Sequence, residues 1–197
     1  MHRGKSNNKL HRYRGRPATA GAYRFSCCGF TLVEMMVALS LLVCMITIAI
    51  PAFQQFIRKN QMVSSVNRFV SALQLTRSEA VKRARDIVLC PTRDGLHCHE
   101  SPDWSPGWLL LPRRPAIDED PVIRSVAESD NGIIMQSSNR RTRIIFQPDG
   151  SAGGSNSSFT FCDRQGLAPA RVICLSGTGR ARLTQTRCDG SPIHCPD

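Results

Sequence analysis

Residues 27–51 read CCGFTLVEMMVALSLLVCMITIAIP, and this stretch decides how the rest of the chain is understood. From Phe30 to Ile50 the run is apolar, and Glu34 is its only ionisable side chain apart from Cys44. About 20 apolar residues rising 1.5 Å each cross a hydrocarbon core of about 30 Å. A secretory signal has a shorter apolar run that ends in a small-residue cleavage site. Here Gly29 precedes the run instead, so a cut after Gly29 leaves the helix on the mature protein. A carboxylate costs about 2.5–3.5 kcal/mol at the centre of a membrane helix and less near its end. Glu34 therefore either reaches the interface or meets a positive partner. Cleavage after Gly29 would create one, the α-amino group of Phe30, one helical turn before Glu34. An acid in the first turn also suits the helix dipole.

The charge of the chain is uneven. Its 197 residues carry a net charge of +11, which points to a nucleic-acid or membrane partner. Residues 1–29 hold seven of the basic side chains (Arg3, Lys5, Lys9, Arg12, Arg14, Arg16 and Arg24) and no acid. The remainder balances 19 basic against 15 acidic residues, a net of +4. A basic front before an apolar helix stays cytoplasmic by the positive-inside rule, so the C-terminal part faces the other side. Any nucleic-acid partner must then be recognised by local patches.

Beyond the span lie six cysteines: Cys90, Cys98, Cys162, Cys174, Cys188 and Cys195. An even set outside the cytosol reads as a disulfide framework with 15 possible pairings. "CPTRDGLHCHE" (residues 90–100) could also be taken as a metal site of Cys90, His97, Cys98 and His99. Zinc sites favour more closely spaced cysteine pairs. A Cys90–Cys98 bridge around the Asp94-Gly95 turn is the simpler reading. Cys174 falls in a strand pattern, where a buried free thiol is the alternative.

After Pro51, which would kink the joined helix rather than end it, the pattern becomes amphipathic. Phe56, Val63, Val70, Arg77 and Ala84 recur every seven residues, with Val66, Leu73 and Ala80 between them. That spacing predicts a helix laying this face on a folded domain. The opposite face carries Arg58, Lys59, Arg68, Lys82, Arg83 and Arg85, a solvated charged surface. The period then shortens. "DIVLCP", "GWLLLP", "VIRSV", "GIIMQSS", "RIIFQPDG", "SFTFCD", "RVICLS" and "GRARLTQ" are short runs bounded by turn formers, and they predict six to eight strands. "FQPDGSAGGSNSSFTF" reads as a strand, a Gly/Ser-rich turn and a strand. A helix followed by strands predicts an α+β domain with the helix on antiparallel sheet.

No nucleophile elbow, phosphate-binding loop or paired carboxylate stands out, so no enzymatic activity, cofactor or metal is expected. The sharpest candidate site is "GTGRARLTQTR", residues 177–187. Gly177 and Gly179 permit a tight turn. Arg180 and Arg182 are two apart and would share one face of a strand. Arg171 and Arg187 are near in sequence, and Arg140, Arg141 and Arg143 form another basic run. Guanidinium forks suit phosphate oxygens and would hold DNA without reading its sequence. The plainer alternative is a hairpin end with solvated arginines.

Two resemblances sharpen these readings. "GFTLVEMMVAL" resembles the N-terminal signature of type IV pilins and type II secretion pseudopilins. This resemblance implies cleavage after Gly29 by a prepilin peptidase, methylation of the new N-terminal Phe30, and pairing of Glu34 with a neighbouring subunit's amine during filament growth. "NRFVSALQLTRSEAVKRARDIVLCPTRDG", "DWSPGWLLL", "FQPDG", "FTFCD" and "SGTGRAR" followed by Cys188 are similar to the GspH/FimT family of minor pilins and pseudopilins. That likeness covers roughly Gly29 to Cys188, and the tail "DGSPIHCPD" departs from it. It implies a long helix continuing into a domain of two β-sheets. The expected organisation is a basic leader (1–29), a transmembrane helix (30–51), its amphipathic continuation (52–86) and a β-rich periplasmic or extracellular domain (87–197). The family's implied bridge is Cys162–Cys188, which leaves Cys174 and Cys195 for each other. FimT-type members carry a G-R-x-R motif implicated in taking up DNA, and Gly179-Arg180-Ala181-Arg182 matches it. The expected partners are other pilins or pseudopilins, the prepilin peptidase, the inner membrane and double-stranded DNA. A secretion pseudopilin without a DNA role is the alternative.

Overall fold

The computed structural model describes residues 29–114, 122–127 and 131–195. The basic leader side chains, Cys27, Cys28, His2 and His11 lie outside the described residues.

Helix α1 runs from Leu32 to Arg83, with Pro51 inside it. Thr31 caps it: the Glu34 amide donates to the Thr31 hydroxyl at 3.2 Å. Thr at the cap with Glu three residues on is the capping-box pattern. The next amide, Met35, donates to the Thr31 carbonyl at 3.1 Å. From Leu32 to Val43 every residue is exposed. The helix is long and apolar enough to cross a membrane.

Within residues 44–197 the second half of α1 buries Met62, Val66, Phe69, Leu73, Thr76 and Ala80. The expected stripe is therefore half right. Val66, Leu73 and Ala80 face the core, but Val63 and Phe56 are 50% and 61% exposed. The buried stripe is made of two seven-residue rows, 62-69-76 and 66-73-80, three to four residues apart on one face. The row through 56, 63 and 77 follows 62, 69 and 76 by one residue, about 100° around the helix, which carries it to the rim. The charged face is not all solvated either. Arg58 donates to the Asn131 carbonyl at 2.6 Å and to Gln165 Oε1 at 3.0 Å. Ala84 ends the helix with φ +50°. The Arg85 amide reaches back to the Ala80 carbonyl and the Ala84 amide to Val81, a Schellman closure built on alanine.

Among the described residues eight strands follow: β1 (Ile87–Pro91), β2 (Gly107–Pro112), β3 (Arg124–Ala127), β4 (Ile133–Ser137), β5 (Ile144–Phe146), β6 (Ser157–Asp163), β7 (Arg171–Leu175) and β8 (Ala181–Thr184). They form two four-stranded antiparallel sheets. Sheet A has the order β3-β2-β1-β5 and sheet B the order β4-β6-β7-β8. "FQPDGSAGGSNSSFTF" is not a hairpin, because β5 lies in sheet A and β6 in sheet B; the Gly/Ser-rich segment carries the chain between sheets.

Alternation decides what each face holds. Ile87, Leu89, Trp108, Leu110, Ile144 and Phe146 of sheet A join Met135, Phe159, Phe161, Ile173 and Leu175 of sheet B and the buried stripe of α1 in one core. Phe69 is its hub, with ring centroids 5.7 Å from Trp104, 5.3 Å from Trp108, 4.7 Å from Phe159 and 6.0 Å from Phe161.

All six cysteines are bridged, and Cys90 pairs with Cys98. The other two pairings correct the expectation: they are Cys162–Cys195 and Cys174–Cys188, not Cys162–Cys188 and Cys174–Cys195. The reason is strand order. Phe159, Phe161, Ile173 and Leu175 face the core, so by alternation Cys162 and Cys174 both lie on the outer face of sheet B. After β8 the tail returns over that face. It meets β7, the neighbour of β8, before it meets β6. The first tail cysteine is thus taken by Cys174 and the second by Cys162. Cys174 is no free thiol.

Candidate functional site

Two sites carry the sequence-predicted residues. At the N-terminal one, Gly29 is exposed with nothing within 4 Å of where a Cβ would stand. Phe30 is 72% exposed. Glu34 sits in the first turn of α1, its amide held by the Thr31 cap. Among the described residues nothing crowds Gly29, and the carboxylate lies where the helix dipole favours a negative charge. The sequence reading missed Thr31, although Thr-x-x-Glu before an apolar run is a legible signal.

The second site is the β7–β8 hairpin. Its turn is closed by Ser176 and Arg180: the Ser176 amide donates to the Arg180 carbonyl at 3.0 Å, and the Gly179 amide to the Ser176 carbonyl at 2.9 Å. Gly179 has φ +76°, and a Cβ there would stand 2.5 Å from the Gly150 carbonyl oxygen. Its glycine character is thus required by the fold. At Gly177 a Cβ would stand 2.9 Å from the Asn156 side-chain oxygen, a contact that side chain can relieve, and the Gly177 carbonyl accepts from the Ala152 amide at 2.9 Å. Both glycines seat the hairpin tip on the loop between β5 and β6.

The arginines have no such structural duty. Arg180 and Arg182 are exposed, and neither forms an ion pair among the described residues. Arg182 stands opposite Cys174 in the ladder, so it shares the outer face of sheet B. Both line a groove of about 550 Å³ with Ser138, Asn156, Ser158 and Ser176. Hydroxyls and amides beside guanidinium groups make a surface suited to phosphate oxygens. Strand β8 is also an edge, and charged side chains there discourage unwanted strand pairing. That second duty is compatible with the first.

Arg187 lies apart from this groove. It lines a neighbouring concavity with His194, Ile193, Ile134 and Thr160, and the two hollows share Ser138 and Ser158. Arg187 begins the turn that returns the tail, its amide donating to the Ser191 carbonyl at 2.8 Å. Asp189 in that turn is held below the usual carboxylate range, first by the Ser191 hydroxyl, then by the Ser191 amide, and further by the charge of Arg187. A neighbouring carboxylate thus offsets part of the charge of Arg187.

The Cys90–Cys98 loop is organised by Asp94. Its Oδ1 accepts from the Leu96 and His97 amides, each at 2.9 Å, and its Oδ2 lies 2.8 Å from His97 Nδ1. The His97 side chain is the main cause that holds Asp94 far below the usual range. Cys90 and Cys98 are spent on each other, so the metal-site alternative loses both thiols.

A capped apolar helix with an acid in its first turn, continuing into two antiparallel sheets, defines a pilin-like protein. A model of the prokaryotic N-terminal methylation motif matches residues 24–50. A model of the type II transport protein GspH matches residues 65–179, more than half of the chain. The chain belongs to the GspH family of type II transport proteins. Among solved structures it is similar to the type IV minor pilin FimU of Pseudomonas aeruginosa strain PAO1. One crystal form is 20% identical, with 66% of this chain and 92% of that chain covered and a TM-score of 0.52. A second form gives 20%, 61%, 90% and 0.49. At this identity the likeness is one of fold. No curated protein matches the chain.

Proposed function

We propose that this chain is a minor pilin of a type IV pilus that also captures double-stranded DNA. It begins as a bitopic inner-membrane precursor whose C-terminal domain is periplasmic. Prepilin peptidase cuts after Gly29, and the Phe30 amine is methylated. The Glu34 carboxylate then steers insertion by pairing with a Phe30 amine of a neighbouring subunit. The methylation motif and the exposed, capped helix start support this part. Glu34→Ala should abolish incorporation into filaments, read by immunoblot of sheared fibres. Wild-type incorporation would remove the role of Glu34.

DNA capture rests on one observation: Arg180 and Arg182 are exposed, without an acidic partner among the described residues, and set in a groove that four serines and Asn156 share with Cys174, Leu175 and Cys188. Contacts of this kind neutralise phosphates and release counterions, so binding weakens steeply with salt and ignores sequence. Gly179 shapes the turn and Arg187 adds a partly offset charge at the margin. The full chain in neutral detergent should shift labelled duplex at low salt. Arg180→Ala with Arg182→Ala should lower the slope of log affinity against log salt by about 2. A double variant that binds like wild type sinks the DNA claim.

The second reading is a pseudopilin of the type II secretion system with no DNA role. The description of the matching family favours it. It predicts that the wild-type chain leaves duplex DNA unshifted at low salt.

A further inference from the structure

We propose that the phosphate-binding surface extends past the β7–β8 hairpin to Arg140, forming a track shaped for the backbone of a double helix. The inference rests on the DNA-binding reading above. Three arginines crowd the turn after β4, yet their geometry separates them. Arg143 is paired with Glu100 at 3.0 Å. Arg141 turns Nη2 toward the Asn156 carbonyl at 3.4 Å, and Asn156 also lines the groove of Arg180 and Arg182. Arg140 is exposed and has no acidic partner among the described residues.

The backbone holds Arg140 in position at some cost. Asn139 and Arg140 are consecutive residues with φ +54° and +51°, a left-handed pair without glycine. Such conformations persist only where the surroundings enforce them, and they concentrate at ligand sites. Here the enforcement is visible on both sides. The Ser158 amide donates to Ser138 Oγ at 2.9 Å. The Arg141 carbonyl accepts from Trp104 Nε1 at 3.0 Å and from Ser137 Oγ at 2.6 Å. Arg140 is therefore presented from a pinned turn, which lowers the entropy lost when it binds. Its hollow includes Ser155, next in sequence to Asn156 of the arginine groove, and Asn139, next to that groove's Ser138. The two hollows have no lining residue in common, but the segments 138–139 and 155–156 each contribute one residue to either side, so the hollows are neighbours along the same two loops.

The chemistry of this track selects among nucleic acids. Single strands are held by aromatic platforms on which bases stack. None of the three hollows is lined by Phe, Tyr or Trp. Trp104, Trp108, Phe159 and Phe161 are all in the core. The polar groups that line the hollows are guanidinium, hydroxyl and amide, with the His194 ring in the hollow of Arg187, and they sit among Ile134, Ile193, Leu175 and the cystines. The guanidinium and hydroxyl groups suit phosphates.

The test measures duplex affinity of the full chain in neutral detergent across a salt series. Arg140→Gly suits the positive φ and removes the side chain; it should reduce the salt slope by about 1. Arg140→Lys should restore it. An Arg140→Gly slope equal to wild type, with the Arg180→Ala/Arg182→Ala slope still reduced, overturns the extension and leaves the DNA reading standing. No duplex binding by wild type overturns both. Tighter binding of a single-stranded oligomer than of duplex overturns the double-helix assignment. Competition by nanodiscs of anionic lipid, with the same arginine dependence and no duplex binding, would reassign the track to a membrane surface.

Discussion

Sheets A and B are built alike on the inside and unlike on the outside. Both give alternate residues to one core around Phe69. On its outer face sheet A gathers Val88, Cys90 and Leu109 with the partly buried Leu111 and Ile145 beside Val88 in the ladder, an apolar cluster onto which the Cys90–Cys98 bridge brings Cys98. The outer face of sheet B instead carries serines, a threonine, Gln136 and Arg182 beside Ile134, and two cystines pull the tail, with Ile193, across it. The same strand geometry thus yields one face finished as a second small core and one left as a polar surface. Binding chemistry belongs to the second, because apolar burial leaves nothing to address a charged ligand.

The largest effect should come from what the sheets share. Phe69→Ala removes the ring that touches Trp104, Trp108, Phe159 and Phe161, and should cost about 3–5 kcal/mol. Denaturant unfolding of the full chain in detergent checks it; a loss under 1 kcal/mol would mean the core is not organised around that ring. Next come the covers. Replacing Cys174 and Cys188 by Ser opens a bridge of sequence separation 14. Loops near that length gain about 3 kcal/mol from closure. This variant should also weaken duplex binding, whereas Cys90→Ser with Cys98→Ser should lower stability and spare binding. Equal loss of binding in both would erase the distinction between the faces. Gly179→Ala should cost about 2–4 kcal/mol, from a left-handed alanine and a collision with Gly150. If it removed binding without touching stability, the glycine would belong to the ligand site and not to the turn.

Much of this comparison is legible in the sequence and part of it is not. All eight short runs became strands because β-branched and aromatic clusters between turn formers are a local signal. The Thr31 cap and the Asp94 turn are equally local. Which sheet each strand joins is a long-range matter, so the segment between β5 and β6 reads as a hairpin although it changes sheets. The cystine pairing failed for the same reason: only the order β6-β7-β8 tells which strand the returning tail meets first. The core face of α1 is visible in Val66, Leu73 and Ala80, but its second row is Met62, Phe69 and Thr76, one residue before the row through Val63 and Arg77, and the polar Thr76 hides it from a reading of apolar spacing. Arg140 could not be told from Arg141 and Arg143, because their partners, Asn156 and Glu100, are distant in sequence.

The smallest effect concerns how acid loosens the two covers. Asp94 in the loop over sheet A and Asp189 in the tail over sheet B both have lowered carboxyl pKa values, Asp94 by far the more. The His97 side chain is the largest cause at Asp94 and the Ser191 hydroxyl at Asp189. A carboxyl depressed in the folded state contributes stability that is complete above its unfolded value. That contribution is lost as pH falls through the folded value. Both turns should therefore hold at neutral pH and loosen in acid, that of Asp189 at the higher pH. The bridges keep both segments attached, so the change is local opening and not global unfolding. Hydrogen exchange reads it at the amides the carboxylates hold, Leu96 and His97 on one side and Ser191 on the other. Ser191 should lose protection first as pH is lowered from 5 toward 2, once intrinsic exchange rates are corrected (about the span over which a depressed carboxylate titrates). The reverse order would mean that the cover of sheet A, not that of sheet B, is the looser one.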